Sequence, residues 1–403
     1  MENISSLYIH IPFCLSKCSY CDFFSRPLGK PDSEGVNSAS WVPPSYIKAL
    51  CNEILFRINK YQIKELSTIY IGGGTPSLLS IQQFTEFFSF ISSHVKISEN
   101  TEITVEVNPD DLNKDFLQGL ADCGINRISC GIQSMNDNAL KLACRRADSA
   151  ANEKALSLLH DYWKGQTSLD LISGLPGDDE KSLTASLEKI CQIKPAHVSL
   201  YSLIIEDETP FGKALAQGKL DYDFDRADGL WLSGRSYLEE AGYKWYEVSN
   251  FCLQGKECRH NLAYWTHASY LGCGSGASAT IYWKDGSAFR WTNTCDIEKY
   301  IGFWGENDEW REEELRGVQA EERVELATSE FEFFMMSLRK LRGFNKSEFT
   351  RIFSKTLPEK FLKLFTEWEK KGLCFSSKNA GDTTYAMSRQ GILFLNRFLE
   401  ELC

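Results

Sequence analysis

The chain has 403 residues, 43% of them hydrophobic and 13% aromatic, with a formal net charge of −11; one small core cannot hold that length, and a large domain with a smaller one is expected. The acidic balance argues against a nucleic-acid surface, which needs a positive field over phosphates, and 14 cysteines imply a disulfide scaffold only in a short secreted chain. With neither a basic-then-apolar leader nor an apolar run of membrane-spanning length, a cytoplasmic protein with reduced thiols is expected.

The first distinctive element is the run from His10 to Asp22, which sets Cys14, Cys18 and Cys21 in C-x3-C-x2-C spacing. Iron–sulfur clusters are held by cysteine thiolates, usually four. Three protein ligands would leave one iron open, and an open position is what a catalytic metal needs. A zinc site, a disulfide pair or unrelated buried thiols fit the same residues; zinc sites add a second pair or a His at set spacing, and no such partner is placed here.

Gly, Pro, Ser and Asp then mark residues 26–43 as a surface loop. Buried strands are predicted at Leu7–Ile11, Thr68–Ile71, Glu102–Val107, Arg127–Ile132, Leu169–Ile172 and His197–Leu203. Helical periodicity fills the intervals at Ser45–Lys60, Ile81–Ser92, Asn113–Cys123, Asp137–Arg145, Asn152–Trp163 and Glu180–Ile193. Strands alternating with helices make a parallel sheet, and six units predict an α/β fold with a partial (β/α)6 barrel over residues 1–240. Residues 241–304 read as a connecting region. From about residue 305 an acidic and basic run, Glu306–Glu325, reads as a solvated linker or cap. Helices at Glu330–Leu341, Lys346–Phe353, Glu359–Lys371 and Gly391–Leu402, with a hairpin near Tyr385, make 305–403 a small, mostly helical domain. Phe331, Phe333, Phe334, Met335 and Met336 read as its core.

In a βα barrel, function sits at the C-terminal strand ends. Gly72-Gly73-Gly74-Thr75-Pro76 follows the second strand, where glycines permit close backbone approach to a ligand but also make ordinary turns. Glu106 and Asn108 end the third strand, Gln133 the fourth, and Asp170 lies in the fifth. A carboxylate at a buried strand end is costly unless paired. Farther on, Cys258-Arg-His260-Asn-Leu-Ala-Tyr264-Trp265 offers an imidazole to iron and rings for stacking, or a structural loop with a hydrogen-bonded His.

The cysteine spacing resembles the signature of the radical S-adenosylmethionine (SAM) superfamily, in which SAM chelates the open iron of a [4Fe–4S] cluster. Tyr-Ile-His-Ile-Pro-Phe-Cys, Ile-Gly-Gly-Gly-Thr-Pro-Ser, Val-Glu-Val-Asn-Pro and Gly-Leu-Pro-Gly resemble the coproporphyrinogen-oxidase-like branch, and most closely its HemW heme-chaperone family. The similarity runs from Tyr8 to Gly391. It implies a radical SAM barrel with a C-terminal domain similar to that of the family. By the same resemblance Cys14, Cys18 and Cys21 hold the cluster, and Tyr8, Tyr20, Gly73, Gly74, Thr75, Glu106, Gln133, Arg145 and Asp170 surround SAM. Arg146 is the rival for the arginine role. The segment from His260 resembles the H-N-x-x-Y-W motif linked in the family to heme, which makes His260 the heme ligand, with Cys258 and the remaining histidines as rivals.

Oxygen-independent coproporphyrinogen III oxidases resemble the chain too, but carry a further Cys where this chain has Phe23, and a longer segment ahead of the cluster. Both differences favour the chaperone over propionate decarboxylation; an RNA-modifying enzyme is a third reading, disfavoured by charge. Departures from the family are Arg146-Ala147 for Arg-x-His, Ser278 for His, and Ser173 for an aromatic residue. The partners implied are a heme-accepting protein such as a respiratory cytochrome and a reductant for the cluster, with peripheral membrane contact and a homodimer as further expectations.

Overall fold

The computed structural model describes residues 4–28, 41–306, 312–379 and 381–403. Six strands alternate with helices as the sequence pattern predicts: β1 (Ser6–Ile11), β2 (Glu65–Gly73), β3 (Lys96–Val107), β4 (Arg127–Gln133), β5 (Gln166–Ser173) and β6 (His197–Ser202). All neighbouring pairs from β1 to β6 are parallel. Helices cover them, so strands such as Arg-Ile-Ser-Cys in β4 are buried almost continuously, as parallel strands with both faces covered must be. The connecting helices begin where side chains cap them. Ser80 and Gln83 form a reciprocal capping box at Ile81–Ser92, and Asp179 with Ser182 does the same at Glu180–Gln192.

Residues 241–304 do more than connect. They supply β7 (Lys244–Glu247), β8 (Asn250–Cys252), β9 (Tyr270–Cys273), β10 (Ser278–Tyr282) and β11 (Ala288–Asn293). Among the described residues one sheet of twelve strands runs β12-β11-β10-β9-β1-β2-β3-β4-β5-β6-β8-β7, with β12 at Gln319–Val324. β9 pairs parallel to β1 and so adds a seventh parallel strand. Its four residues are too few to show a period. The return to β10 is tight enough that a Cβ at Gly272 would lie 1.9 Å from the Ser278 carbonyl.

The charged run 306–325 differs from the linker expected of it. Part lies outside the described residues, but Gln319–Val324 pairs antiparallel with β11. Only Gln319 and Val324 of that strand are buried, so the run lacks alternation while its charges blunt an exposed sheet edge. The 26–43 loop also lies mostly outside the described residues.

A buried ion pair fastens this extension to the barrel. Glu53 and Arg57, one turn apart on the helix Pro44–Tyr61, are 3.2 Å apart and fully buried. Glu53 accepts from Gly274 N (2.9 Å), Asn293 Nδ2 (2.8 Å) and Tyr300 Oη (2.7 Å). Arg57 donates to Gln319 Oε1 at 2.5 Å and lies over the Trp291 ring at 4.3 Å.

The remaining residues build a three-stranded antiparallel sheet (Phe344–Asn345, Asp382–Met387, Cys374–Asn379) flanked by the helices Leu326–Ser337, Lys346–Phe353, Glu359–Lys370 and Leu395–Leu402. Phe333 and Phe334 are buried among Phe344, Phe349 and Phe361, the core role expected of them, whereas Phe331, Met335 and Met336 of the same stripe are only half-buried. Among the described residues no helix is long and apolar enough to cross a membrane.

Removing one partner of a buried ion pair strands the other charge, at about 3–5 kcal/mol. Glu53→Ala is therefore expected to lower the urea midpoint by that amount of stability. Glu298→Ala, which breaks an exposed pair with Arg26, is expected to leave the midpoint unchanged, since solvent screens such a pair.

Candidate active site

β1 carries Tyr8 and His10 to the edge of the barrel mouth, and the chain then turns at Pro12 into the cysteine loop. Phe13–Cys14 pairs with Arg26–Pro27, and Ser19 is held on both sides, by Ala143 O and by Phe211 N. This seats the loop over the strand ends.

The glycine run is what lets the loop sit there. Gly73 has φ +111°, and a Cβ on it would lie 2.6 Å from the His10 ring. On Gly74 it would lie 2.6 Å from the Phe13 carbonyl. A side chain at either place would push the loop off the barrel. Thr75 then donates to Cys14 Sγ at 3.4 Å.

Below the loop lies a cavity of about 360 Å³ lined by all three cysteines, Tyr20, Gly73, Gly74, Thr75, Glu106, Gln133, Arg145 and Asp170. Glu106 accepts from Tyr70 Oη (2.8 Å) and Gly73 N (3.2 Å). Burial pushes its carboxyl up to about 7; neighbouring Asp170 adds to the rise, while the Tyr70 and Gly73 hydrogen bonds oppose it. Asp170 accepts from Ser129 Oγ (2.7 Å) and Ser168 Oγ (3.2 Å), and its carboxyl is also raised, by burial.

Gln133 adopts φ +67° at a bulge in β4. A non-glycine residue in that region is strained, as residues at functional sites often are. Its amide lies over Gly131, where a Cβ would meet Nε2 at 2.7 Å.

Two adjacent arginines divide their roles by geometry. Arg145 donates to Gly131 O (2.6 Å), Asn108 Oδ1 (3.1 Å) and Cys18 Sγ (3.6 Å), and its Nε is buried without a partner. Arg146 points away and pairs with Asp110 and Asp111.

Two sequence-predicted residues stand elsewhere. Tyr8 lies behind the wall, bonded to His10 Nδ1 at 2.9 Å and stacked on Tyr70. His260 lies on the helix Arg259–Trp265 and is 1% exposed. Thr68 Oγ1 is 2.8 Å from its Nδ1 and Tyr264 Oη is 2.9 Å from its Nε2. Tyr70 stacks on the ring at 5.2 Å, and burial pushes the imidazole down to about 3. In this conformation it is neutral and offers no free nitrogen.

Tyr70, Ser129 and Tyr201 also line the cavity, and no pattern in the sequence separates them from ordinary strand residues. At the mouth Phe23 and Ile204 are each 70% exposed. Among the described residues no three His, Cys, Asp or Glu side chains converge on a point that would hold a single ion.

The family model of the radical SAM superfamily matches residues 8–190. The chain is 32% identical over 401 residues to the heme chaperone HemW of Bacillus subtilis (strain 168), covering 99% of this chain and 100% of that protein. Against the heme chaperone HemW of Escherichia coli (strain K12) it is 32% identical over 345 residues, 85% of each. Among solved structures, coproporphyrinogen III oxidase from Escherichia coli matches with a TM-score of 0.76 and 20% identity, covering 100% of this chain and 90% of that one. That last likeness is one of fold. On the strength of full-length identity and a strand-end cavity that carries the three cysteines, the chain belongs to the HemW family of radical SAM proteins.

Proposed function

We propose that this protein is a heme chaperone that holds a [4Fe–4S] cluster and SAM in the strand-end cavity, binds heme and passes it to an acceptor protein. The observation that carries the reading is identity to proteins named heme chaperone HemW over nearly the whole chain, supported by the residues of the cavity.

Those residues fit the groups. Cys14, Cys18 and Cys21 are free thiols on one cavity. Burial pushes the Cys21 thiol up to about 11, a cost that a bound cation removes, since a coordinating thiol is deprotonated outright. The orphaned Nε of Arg145 suits a carboxylate such as that of SAM. Glu106 and Asp170 are acceptors for its ammonium and hydroxyl groups, and Gly73 and Gly74 set backbone against its methionyl end. When bound, a cluster with SAM on its open iron supplies one-electron chemistry. The part of the chain is to hold both under the cysteine loop and to keep water from the carboxylates.

For His260 to ligate heme iron, its bond to Tyr264 or to Thr68 must first open. The heme reading therefore predicts a gated site. Tyr264→Phe frees Nε2 and is expected to tighten heme binding, whereas His260→Ala is expected to weaken it at least tenfold, about 1.4 kcal/mol. Heme titration of the cluster-loaded protein by visible spectroscopy checks both. Handover to a b-type apo-cytochrome tests the chaperone role. A wild type that binds no heme would overturn the function, and affinity indifferent to His260→Ala would move the ligand elsewhere.

Glu106 sets a pH dependence. Its folded pKa of about 7 exceeds the ~4.3 of an unfolded glutamate. Between the two, the native state binds more protons than the unfolded chain, so stability falls as pH rises through that window. In the cluster-free protein, Glu106→Gln is expected to match the wild-type denaturation midpoint near about pH 4 and to exceed it near about pH 8.

A further inference from the structure

Two fully buried histidines, His197 and His267, have no part in the reading above, and the first is tied to the cavity. His197, on β6, is 1% exposed, with both ring nitrogens bonded across three elements. Its Nδ1 lies 2.8 Å from Ser168 Oγ on β5, the residue beside it in register. Its Nε2 lies 2.9 Å from Tyr246 Oη on β7.

Each bond leads onward. The Ser168 hydroxyl donates to Asp170 Oδ1 at 3.2 Å, and Asp170 lines the cavity. At the other end the Cys258 N–H donates to Tyr246 Oη at 3.3 Å. Cys258 is the residue that begins the His260 helix.

One polarity satisfies every group of this chain. Tyr246 Oη accepts from the Cys258 amide and donates its own proton to His197 Nε2. The Ser168 hydroxyl spends its proton on Asp170, so it must accept from His197 Nδ1–H. A neutral imidazole with the proton on Nδ1 satisfies both demands, one donor and one acceptor. Burial, and then the charge of Arg127, hold His197 neutral.

We propose that His197 is a positioning residue through which occupancy of the cavity at Asp170 sets the seating of the helix that carries His260. The proposal rests on the reading of the cavity as the SAM site. Bonds in a buried chain polarise one another. A ligand donor that takes Asp170 competes with Ser168, and the change reaches the Cys258 amide through the imidazole. The first turn of that helix has a second anchor, Glu102, which accepts from Arg259 N (3.1 Å) and His260 N (2.9 Å), so the seating of the turn is shared between Glu102 and the His197 chain.

The test is amide hydrogen exchange at residues 258–262 in the cluster-loaded full-length protein, with and without SAM, alongside equilibrium dialysis of SAM. Wild type is compared with His197→Gln, which keeps one donor and one acceptor, and with His197→Phe and Tyr246→Phe, which break the chain. By drawing Asp170 away from Ser168, SAM weakens each bond down the chain and is expected to speed exchange about fivefold in wild type and His197→Gln, the worth of one net hydrogen bond. In His197→Phe and Tyr246→Phe this speeding is expected to vanish while SAM still binds. Nitrogen chemical shifts of the His197 ring are expected to show the Nδ1–H tautomer.

Equal speeding in the broken-chain variants, no speeding in a wild type that binds SAM, or the opposite tautomer would each overturn the relay. A wild type that binds no SAM would sink the cavity assignment and the relay with it, and dialysis separates that outcome from the others. Tyr246→Phe deletes a single hydroxyl and decides the matter if His197→Phe does not fold.

Discussion

At Gly73 the backbone of β2 passes so close to the His10 ring that a Cβ would stand 2.6 Å away, and at Gly74 it passes equally close to the Phe13 carbonyl. This approach lays the cysteine loop over the strand ends and, through the Gly73 amide, helps hold Glu106 at 3.2 Å. Without it the thiols and the carboxylates would not share one cavity. The constraint is steric and leaves almost no freedom, because glycine is the residue that lacks the atom in question.

The second organising feature is polarity inside the barrel. A barrel interior is usually packed with apolar layers, yet here Tyr70, Glu106, Asp170, His197 and Tyr246 occupy it in bonded chains. Burying such groups is costly unless each is paired. Each of these five is paired, whereas Arg145, on the cavity lining, keeps its Nε buried without a partner. His260 sits at the far side of the same interior, stacked on Tyr70. One tyrosine thus touches both the cavity carboxylate and the His260 ring.

The outer strands serve the centre indirectly. Glu53 and Arg57 gather a backbone amide, an asparagine, a tyrosine, a glutamine and a tryptophan from segments more than 200 residues later. They tie the edge strands β11 and β12 to the helix behind β1, so the cysteine loop rests on a fixed support.

The amino-acid order by itself determined the six βα units, the cysteine triad, the strand-end carboxylates and the family, because each is written in local spacing or a short motif. Burial on both faces makes parallel strands legible as apolar runs, so their positions were readable within a few residues. The strands added beyond the six units were not: Gln319–Val324 has two buried residues, and Tyr270–Cys273 is four residues long. Tertiary structure alone decided which arginine enters the cavity, since Arg145 and Arg146 differ only in where the chain turns after Cys144 at φ +53°. It alone showed His260 sealed by Thr68 and Tyr264, and His197 joined to Asp170, for such pairings link residues remote in sequence and are set by which strands lie side by side.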